Sequence, residues 1–207
     1  QKIYLTGKVP QEFKKTNLMK LYKKGDRKLL SNYRFLHLKH WLPKITEKVV
    51  MKKLKKKMSL ATPPEQLGGV KNASCEEHLV SLTTVLNVQT KRGLAIATTF
   101  MDVVKCFDKV SLDDVCYQAG QAGIVGNPLK VLKEINSDTK MSIVGDDSGE
   151  TFIARDTVGQ GLVSACEGSA LVMGLSLHKA MLDKEDHIMI GNVQVDTTAF
   201  VDDAAQA

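Results

Sequence analysis

The stretch that decides the fold is Phe200-Val201-Asp202-Asp203, F-V-D-D, close to the end of the 207-residue chain. Val193 to Val195 and Thr197 to Val201 are β-rich, with Asp196 between them, so the carboxylate pair falls at a strand end, on a rigid element. A hundred residues upstream, the apolar run Leu94 to Phe100 reads as another strand and ends at Asp102. Mg²⁺ takes oxygen ligands in octahedral geometry, and nucleotidyl transfer uses two such ions about 3.5–4 Å apart, one on the attacking hydroxyl and one on the leaving phosphate. Asp102, Asp202 and Asp203 form a donor set for that pair if the fold unites them. The rival pair Asp146-Asp147 lies in a polar tip between Gly145 and Gly149, where turn chemistry accounts for it.

Composition sets the frame. With 43% apolar and 25% charged residues the chain is an ordinary globular sequence with room for one or two domains. No run of 18 apolar residues exists, and Gln1 to Lys24 is polar and basic; we therefore expect neither a membrane span nor a signal peptide, and a protein of the nucleus or cytoplasm. Cys75, Cys106, Cys116 and Cys166 form no C-x-x-C pair and read as reduced thiols. A first residue that is not Met and an end four residues after the Asp pair lead us to expect a fragment. Charge is uneven: residues 1 to 58 hold 18 Lys+Arg against 3 Asp+Glu, a net +15, and residues 59 to 207 hold 11 against 20, a net −9. That asymmetry suits one surface for phosphates and another for cations.

Along the chain, Leu18 to Tyr22 reads as a strand, Gly25-Asp26 as a turn and Phe35-Leu36 as the return strand. The hairpin carries Lys23, Lys24, Arg27, Lys28 and Arg34, whose ammonium and guanidinium groups form charge-assisted hydrogen bonds with phosphate oxygens. Apolar positions Leu38, Leu42, Ile45, Val49, Val50, Leu54 and Met58 recur at helical spacing, which predicts a helix beginning near Pro43 and broken by Thr62-Pro63-Pro64. His37 and His40 lack a third ligand, so a metal there is not expected. Ser74 with Glu77, and Ser111 with Asp114, are capping boxes that open helices. Asn127 caps and Pro128 opens a helix to about Asn136; Met141 to Val144 and Thr151 to Ala154 form a hairpin. Val158-Gly159-Gln160-Gly161 is followed by small residues, Ser164 to Ala170, that open a helix continuing through Leu171 to Met181 and permit close approach of a backbone or a base pair.

In this order, Lys23-Lys24-Gly25-Asp26 with Asn32-Tyr33-Arg34, Ile45-Thr46-Glu47-Lys48-Val49, Gln66 to Leu79, the block from Phe100-Met101-Asp102 to Phe107-Asp108-Lys109-Val110, Gln160-Gly161 and Phe200-Val201-Asp202-Asp203 resemble the reverse transcriptase domain of non-LTR, LINE-like retrotransposons. The resemblance covers nearly the whole chain. It departs from the family pattern at Phe35, where Pro is usual, at Ser164-Ala165 after Gln160-Gly161, and at Val201 before the Asp pair.

The resemblance implies an α+β right-hand polymerase, with residues 1–93 as fingers, residues 94–207 as most of a palm (an antiparallel sheet with flanking helices), and the thumb missing. It implies an RNA-directed DNA polymerase that adds dNTP to a DNA primer on an RNA template, with two Mg²⁺ ions for which Mn²⁺ can substitute. Asp102, Asp202 and Asp203 would be catalytic and metal-binding, joined by the Val103 carbonyl. Phe107 matches the aromatic steric gate that favours dNTP over rNTP; Gln160 and Gly161 match the nucleotide and template contact, and Lys23, Lys24, Arg27, Lys28 and Arg34 the phosphate contacts. Three nearby carboxylates repel one another, so without metal at least one is expected to hold its proton more tightly. An endonuclease domain elsewhere in the protein is plausible in this family. Two alternatives stay open: a non-catalytic nucleic-acid-binding remnant of a retroelement, and an RNA-directed RNA polymerase.

Overall fold

In chain order the computed structural model has α1 (Lys2–Thr6), a 3-10 turn (Gln11–Lys14), β1 (Lys15–Tyr22), a second 3-10 turn (Leu30–Asn32), β2 (Tyr33–Lys39), α2 (Trp41–Ala61), α3 (Cys75–Lys91), β3 (Thr99–Asp102) and α4 (Cys106–Lys109). There follow α5 (Leu112–Gln121), α6 (Asn127–Asn136), β4 (Ser137–Ile143), β5 (Thr151–Asp156), α7 (Ala165–Leu182), β6 (Met189–Ile190), β7 (Val193–Gln194), β8 (Thr197–Phe200) and β9 (Asp203–Gln206). The structure describes residues 2–70, 73–103, 106–146, 148–156, 158–183, 188–190, 193–194, 197–200 and 203–206. The architecture is mixed α+β.

Contacts divide the chain into two discontinuous units, residues 1–57 with 107–165, and residues 58–106 with 166–207. The first holds 23 Lys+Arg against 12 Asp+Glu, a net +11; the second holds 6 against 11, a net −5. Unit 1 is built on a four-stranded sheet of order β2-β1-β4-β5. β1 and β2 pair antiparallel, as do β4 and β5, while β1 and β4 run parallel from Lys15 opposite Lys140 to Leu18 opposite Ile143. Residues Val131, Leu132 and Ile135 of α6 are fully buried, with Leu112 and Val115 of α5 beside them in the core. The start of α5 is secured twice: Ser111 Oγ accepts from the Asp114 amide at 2.9 Å, and the Asp156 carboxylate from β5 accepts from the Leu112 amide at 2.7 Å.

Helix α2 begins at Trp41, two residues ahead of the expected Pro43, which sits in the first turn where its missing N–H costs nothing. Its inward face differs from the apolar list read in the sequence. Glu47, Val50, Met51, Leu54 and Met58 are buried, whereas Ile45 and Val49 are about half exposed. A carboxylate therefore occupies a position on the core-facing stripe. Helix α6 is preceded by Gly126 as its N-cap, and Asn127 is its first residue, with its side-chain amide donating to Leu5 O at 3.0 Å.

In unit 2, α3 opens on the full Ser74–Glu77 capping box. Helix α7 starts at Ala165, within the small-residue run expected to open it, and packs closely on the loop after α2: a Cβ at Gly174 would stand 3.0 Å from Gln66 Cβ. Here the close approach that small residues permit is made by the protein's own Pro63–Gly69 loop. The segment expected as a strand from Leu94 has no regular secondary structure as far as Thr98, and only β3 enters a sheet. That sheet is three-stranded and antiparallel, in the order β3-β9-β8. Among the described residues, no helix is long and apolar enough to cross a membrane.

Candidate functional site

The carboxylate-bearing positions meet at the end of the unit 2 sheet. β3 and β9 are antiparallel with Phe100 opposite Ala205, Met101 opposite Ala204 and Asp102 opposite Asp203. β9 also pairs with β8, where Phe200 lies opposite Asp203. Facing Cα atoms in an antiparallel ladder stand about 4.5–5.5 Å apart, so Asp102 and Asp203 share one rung. Asp102 is the last residue of β3, Asp203 the first of β9, and the Asp102 side chain is exposed. Val201 and Asp202, the two residues between β8 and β9 in sequence, lie outside the described residues, as does Asp147 of the rival pair.

Val103 follows β3, and its carbonyl accepts from the Cys106 amide at 3.1 Å as the chain enters α4. A carbonyl oxygen has two lone pairs, so this bond leaves acceptor capacity. Phe107 is partly exposed on α4. Among the described residues no three His, Cys, Asp or Glu side chains come together as a metal-holding group. His37 is buried in β2 and His40 is exposed.

The five cationic residues of the first hairpin, Lys23, Lys24, Arg27, Lys28 and Arg34, are all exposed in unit 1. The loop that carries four of them is held by its own hydrogen bonds. Tyr22 Oη donates to Gly25 O at 2.6 Å, Tyr33 Oη to Arg27 O at 2.8 Å, and Asn32 Nδ2 to Asp26 O at 2.8 Å. The Arg27 guanidinium lies 4.8 Å from the centre of the Tyr22 ring, which itself stands edge-on to Tyr33 at 5.7 Å. Gly25 has φ +89°, and a Cβ there would approach Asn32 Nδ2 to 2.7 Å, so the tip requires glycine. These cationic groups thus project from a loop whose backbone is already fixed by its own hydrogen bonds.

Gln160 and Gly161 also belong to unit 1, in the stretch between β5 and α7. The His37 amide donates to Gln160 O at 2.7 Å, from the outer edge of β2. Gly161 has φ +94°, and a Cβ there would come within 3.0 Å of His37 O. Behind this turn lies a buried polar group that helical and strand periodicity do not reveal. Glu47 Oε1 accepts from Ser164 N at 3.1 Å, Ser164 Oγ at 2.7 Å and Asn136 Nδ2 at 3.4 Å. Lys39 Nζ donates to Ile135 O at 3.0 Å and to Asn136 Oδ1, and stands 3.7 Å from Glu47 Oε2. Burial pushes the Lys39 ammonium below the ordinary lysine value, and the Glu47 carboxylate pulls it part of the way back.

An open groove of about 580 Å³ in unit 1, lined by Lys130, Lys133, Arg155, Asp113 and Asp156 among others, contains none of the predicted site residues. Three of its charges are engaged within the fold: Lys133 pairs with Asp113, and Asp156 caps α5.

No protein-family model and no curated protein sequence matches the chain. Solved structures do. An apo telomerase from Candida tropicalis truncated from its C-terminal domain is 13% identical over 95% of this chain and 44% of its own, with a TM-score of 0.65. Candida albicans telomerase bound to the TWJ fragment of telomeric RNA is 12% identical over 99% of this chain and 39% of its own, with a TM-score of 0.64. The C. tropicalis enzyme with the same RNA fragment gives 14% over 96% and 36%, at 0.59. The chain spans well under half the length of these structures. Its fold is similar to that of these telomerase structures.

Proposed function

We propose that this chain is the fingers and palm part of an RNA-directed DNA polymerase of the non-LTR, LINE-like type, with residues 1–93 in the fingers role and residues 94–207 in the palm role. The observation that carries the reading is the register of the unit 2 sheet, which sets the backbone of Asp102 opposite that of Asp203, beside Asp202 in sequence. The charge division adds support, since the net positive unit bears the exposed hairpin cations and the net negative unit bears the Asp motifs.

Carboxylate and carbonyl oxygens are hard donors, and two such positions on one rung at a sheet end fit Mg²⁺. In this reading Asp102, Asp202, Asp203 and the Val103 carbonyl hold the two ions, which when bound would lower the barrier to attack by the primer 3′-OH and stabilise charge on the departing pyrophosphate. The chain's own residues do the rest. Arg34 and the Lys23 to Lys28 group neutralise triphosphate oxygens from a pre-ordered loop. Phe107 excludes a ribose 2′-OH, and Gln160 with Gly161 meets the incoming nucleotide and the template.

Primer extension on an RNA template, in the complete natural polypeptide that carries this chain, tests the proposal. Asp102→Asn is expected to abolish dNTP addition with Mg²⁺ or Mn²⁺. Extension near the parent level would refute it. Salt-sensitive nucleic-acid binding that ignores both Mg²⁺ and Asp102 would leave only a basic binding remnant.

A further inference from the structure

The turn bearing Gln160 and Gly161 is fastened at both ends and in the middle. Before it, the Val158 amide donates to Val110 O at 3.2 Å, and Val158 is 1% exposed. In the middle, the His37 amide donates to Gln160 O at 2.7 Å, while the His37 imidazole lies against Gly159 so closely that a methyl group there would overlap the ring. The ring cannot simply swing out, because His37 is 8% exposed. After the turn, Glu47 holds both the amide and the hydroxyl of Ser164. β2 is the outermost strand of its sheet, and an outermost strand ordinarily presents unpaired backbone groups. Here the outer edge is used at His37 to seat this turn.

We infer that His37 and Glu47 are positioning residues for nucleotide selection: they lock the Gln160–Gly161 turn to the strand that also carries Arg34. The inference rests on the reading that Gln160 and Gly161 meet the nucleotide. Arg34 and His37 lie three residues apart on one strand, a separation of about 10 Å at the strand rise. The phosphate contact and the turn that meets the base are thereby held at a fixed spacing by one rigid element. Gly159 and Gly161 are required by this fit, one for the imidazole and the other for its positive φ and the nearby His37 carbonyl.

Two readouts test it in the complete polypeptide: dNTP KM and kcat in primer extension, and amide hydrogen exchange over residues 158–164. Gly159→Ala is expected to raise dNTP KM about tenfold with kcat changed less than about threefold, and to speed exchange in the turn while the β1–β2 ladder keeps its protection. Adding His37→Ala removes the overlap and should return KM to the level of His37→Ala alone. Glu47→Gln, which keeps an oxygen for Ser164 but loses the charge opposite Lys39, should disturb both readouts less than Glu47→Leu, which keeps neither. Unchanged exchange in the turn, or faster exchange with unchanged KM, overturns the inference. If Gly159→Ala fails to fold, His37→Ala alone decides, since it adds no atoms: a raised dNTP KM at constant kcat supports positioning, and an unchanged KM refutes it. Failure of the underlying polymerase reading is recognisable separately, because the unsubstituted protein would then show neither extension nor any dNTP effect on exchange.

Discussion

Replacing Glu47 by Leu removes a carboxylate that is 1% exposed and is the acceptor for two Ser164 donors. Two costs follow. The Ser164 amide is left buried without its acceptor, about 1–3 kcal/mol, and the Lys39 ammonium loses its counter-charge. Breaking a buried pair on one side costs about 3–5 kcal/mol, because the remaining charge stays desolvated. Lys39 keeps its bonds to Ile135 O and Asn136 Oδ1, and the 3.7 Å separation from Glu47 Oε2 is beyond hydrogen-bonding distance, so the lower half of that range applies. The two costs overlap, and we expect a loss of about 3–4 kcal/mol, a large share of the stability of an ordinary domain. Lys39→Met with Glu47→Leu removes the stranded charge and leaves mainly the Ser164 amide, so the double variant should regain about 1–2 kcal/mol over Glu47→Leu. Urea unfolding followed by circular dichroism at neutral pH measures both. A Glu47→Leu loss below about 1 kcal/mol, or a double variant no more stable than the single one, would show that the network contributes little.

Other outcomes follow from the same geometry. The Lys39 pKa is lowered in the fold, so between that value and the unfolded one of about 10.4 the unfolded chain binds more protons, and stability must rise with pH. The urea midpoint of the parent should climb relative to that of Lys39→Met as pH is raised through this window; a relative fall would refute the sign. Ser111→Ala removes one half of the α5 capping box and should cost about 1 kcal/mol by thermal or urea unfolding, with no cost if the Asp156 carboxylate suffices alone. Replacing Lys23, Lys24, Arg27 and Lys28 by Gln should flatten the dependence of log Kd on log salt for a primer–template by about 3; an unchanged slope would mean these groups do not meet phosphates.

Local signals carried far in this chain. The Ser74–Glu77 and Ser111–Asp114 boxes form as written, and both hairpins of unit 1 fall where turn residues separate β-rich runs. Periodicity was less reliable where a polar group belongs to the core. The stripe of α2 reads toward Ile45 and Val49 only if Glu47 is taken for a surface residue, and what places Glu47 inside is Ser164, 117 residues away. Small residues near Gly159 and Gly161 signalled a close approach without naming the neighbour, because the pairing with His37 spans more than 120 positions. The alignment of Asp102 with Asp203 is likewise a matter of strand register across a hundred residues. Sequence supplied the two carboxylates, and only the ladder pairs them.

The parallel pairing of β1 with β4 joins residues 15–18 to residues 140–143. During synthesis at about 5–20 residues per second, β1 therefore emerges about 6–25 s before the strand that will cover its second edge. The β1–β2 hairpin can close at once, but Lys15 to Leu18 must wait with one row of backbone donors and acceptors unpaired, a template for strands of other chains. Lys15 lies on that edge with Lys14 and Lys20 close by, and charge there slows association while the nascent chain is incomplete. A ribosome paused before Val144 would hold the chain in its most vulnerable form, so folding yield should depend on translation speed through this interval as much as on the stability of the finished sheet.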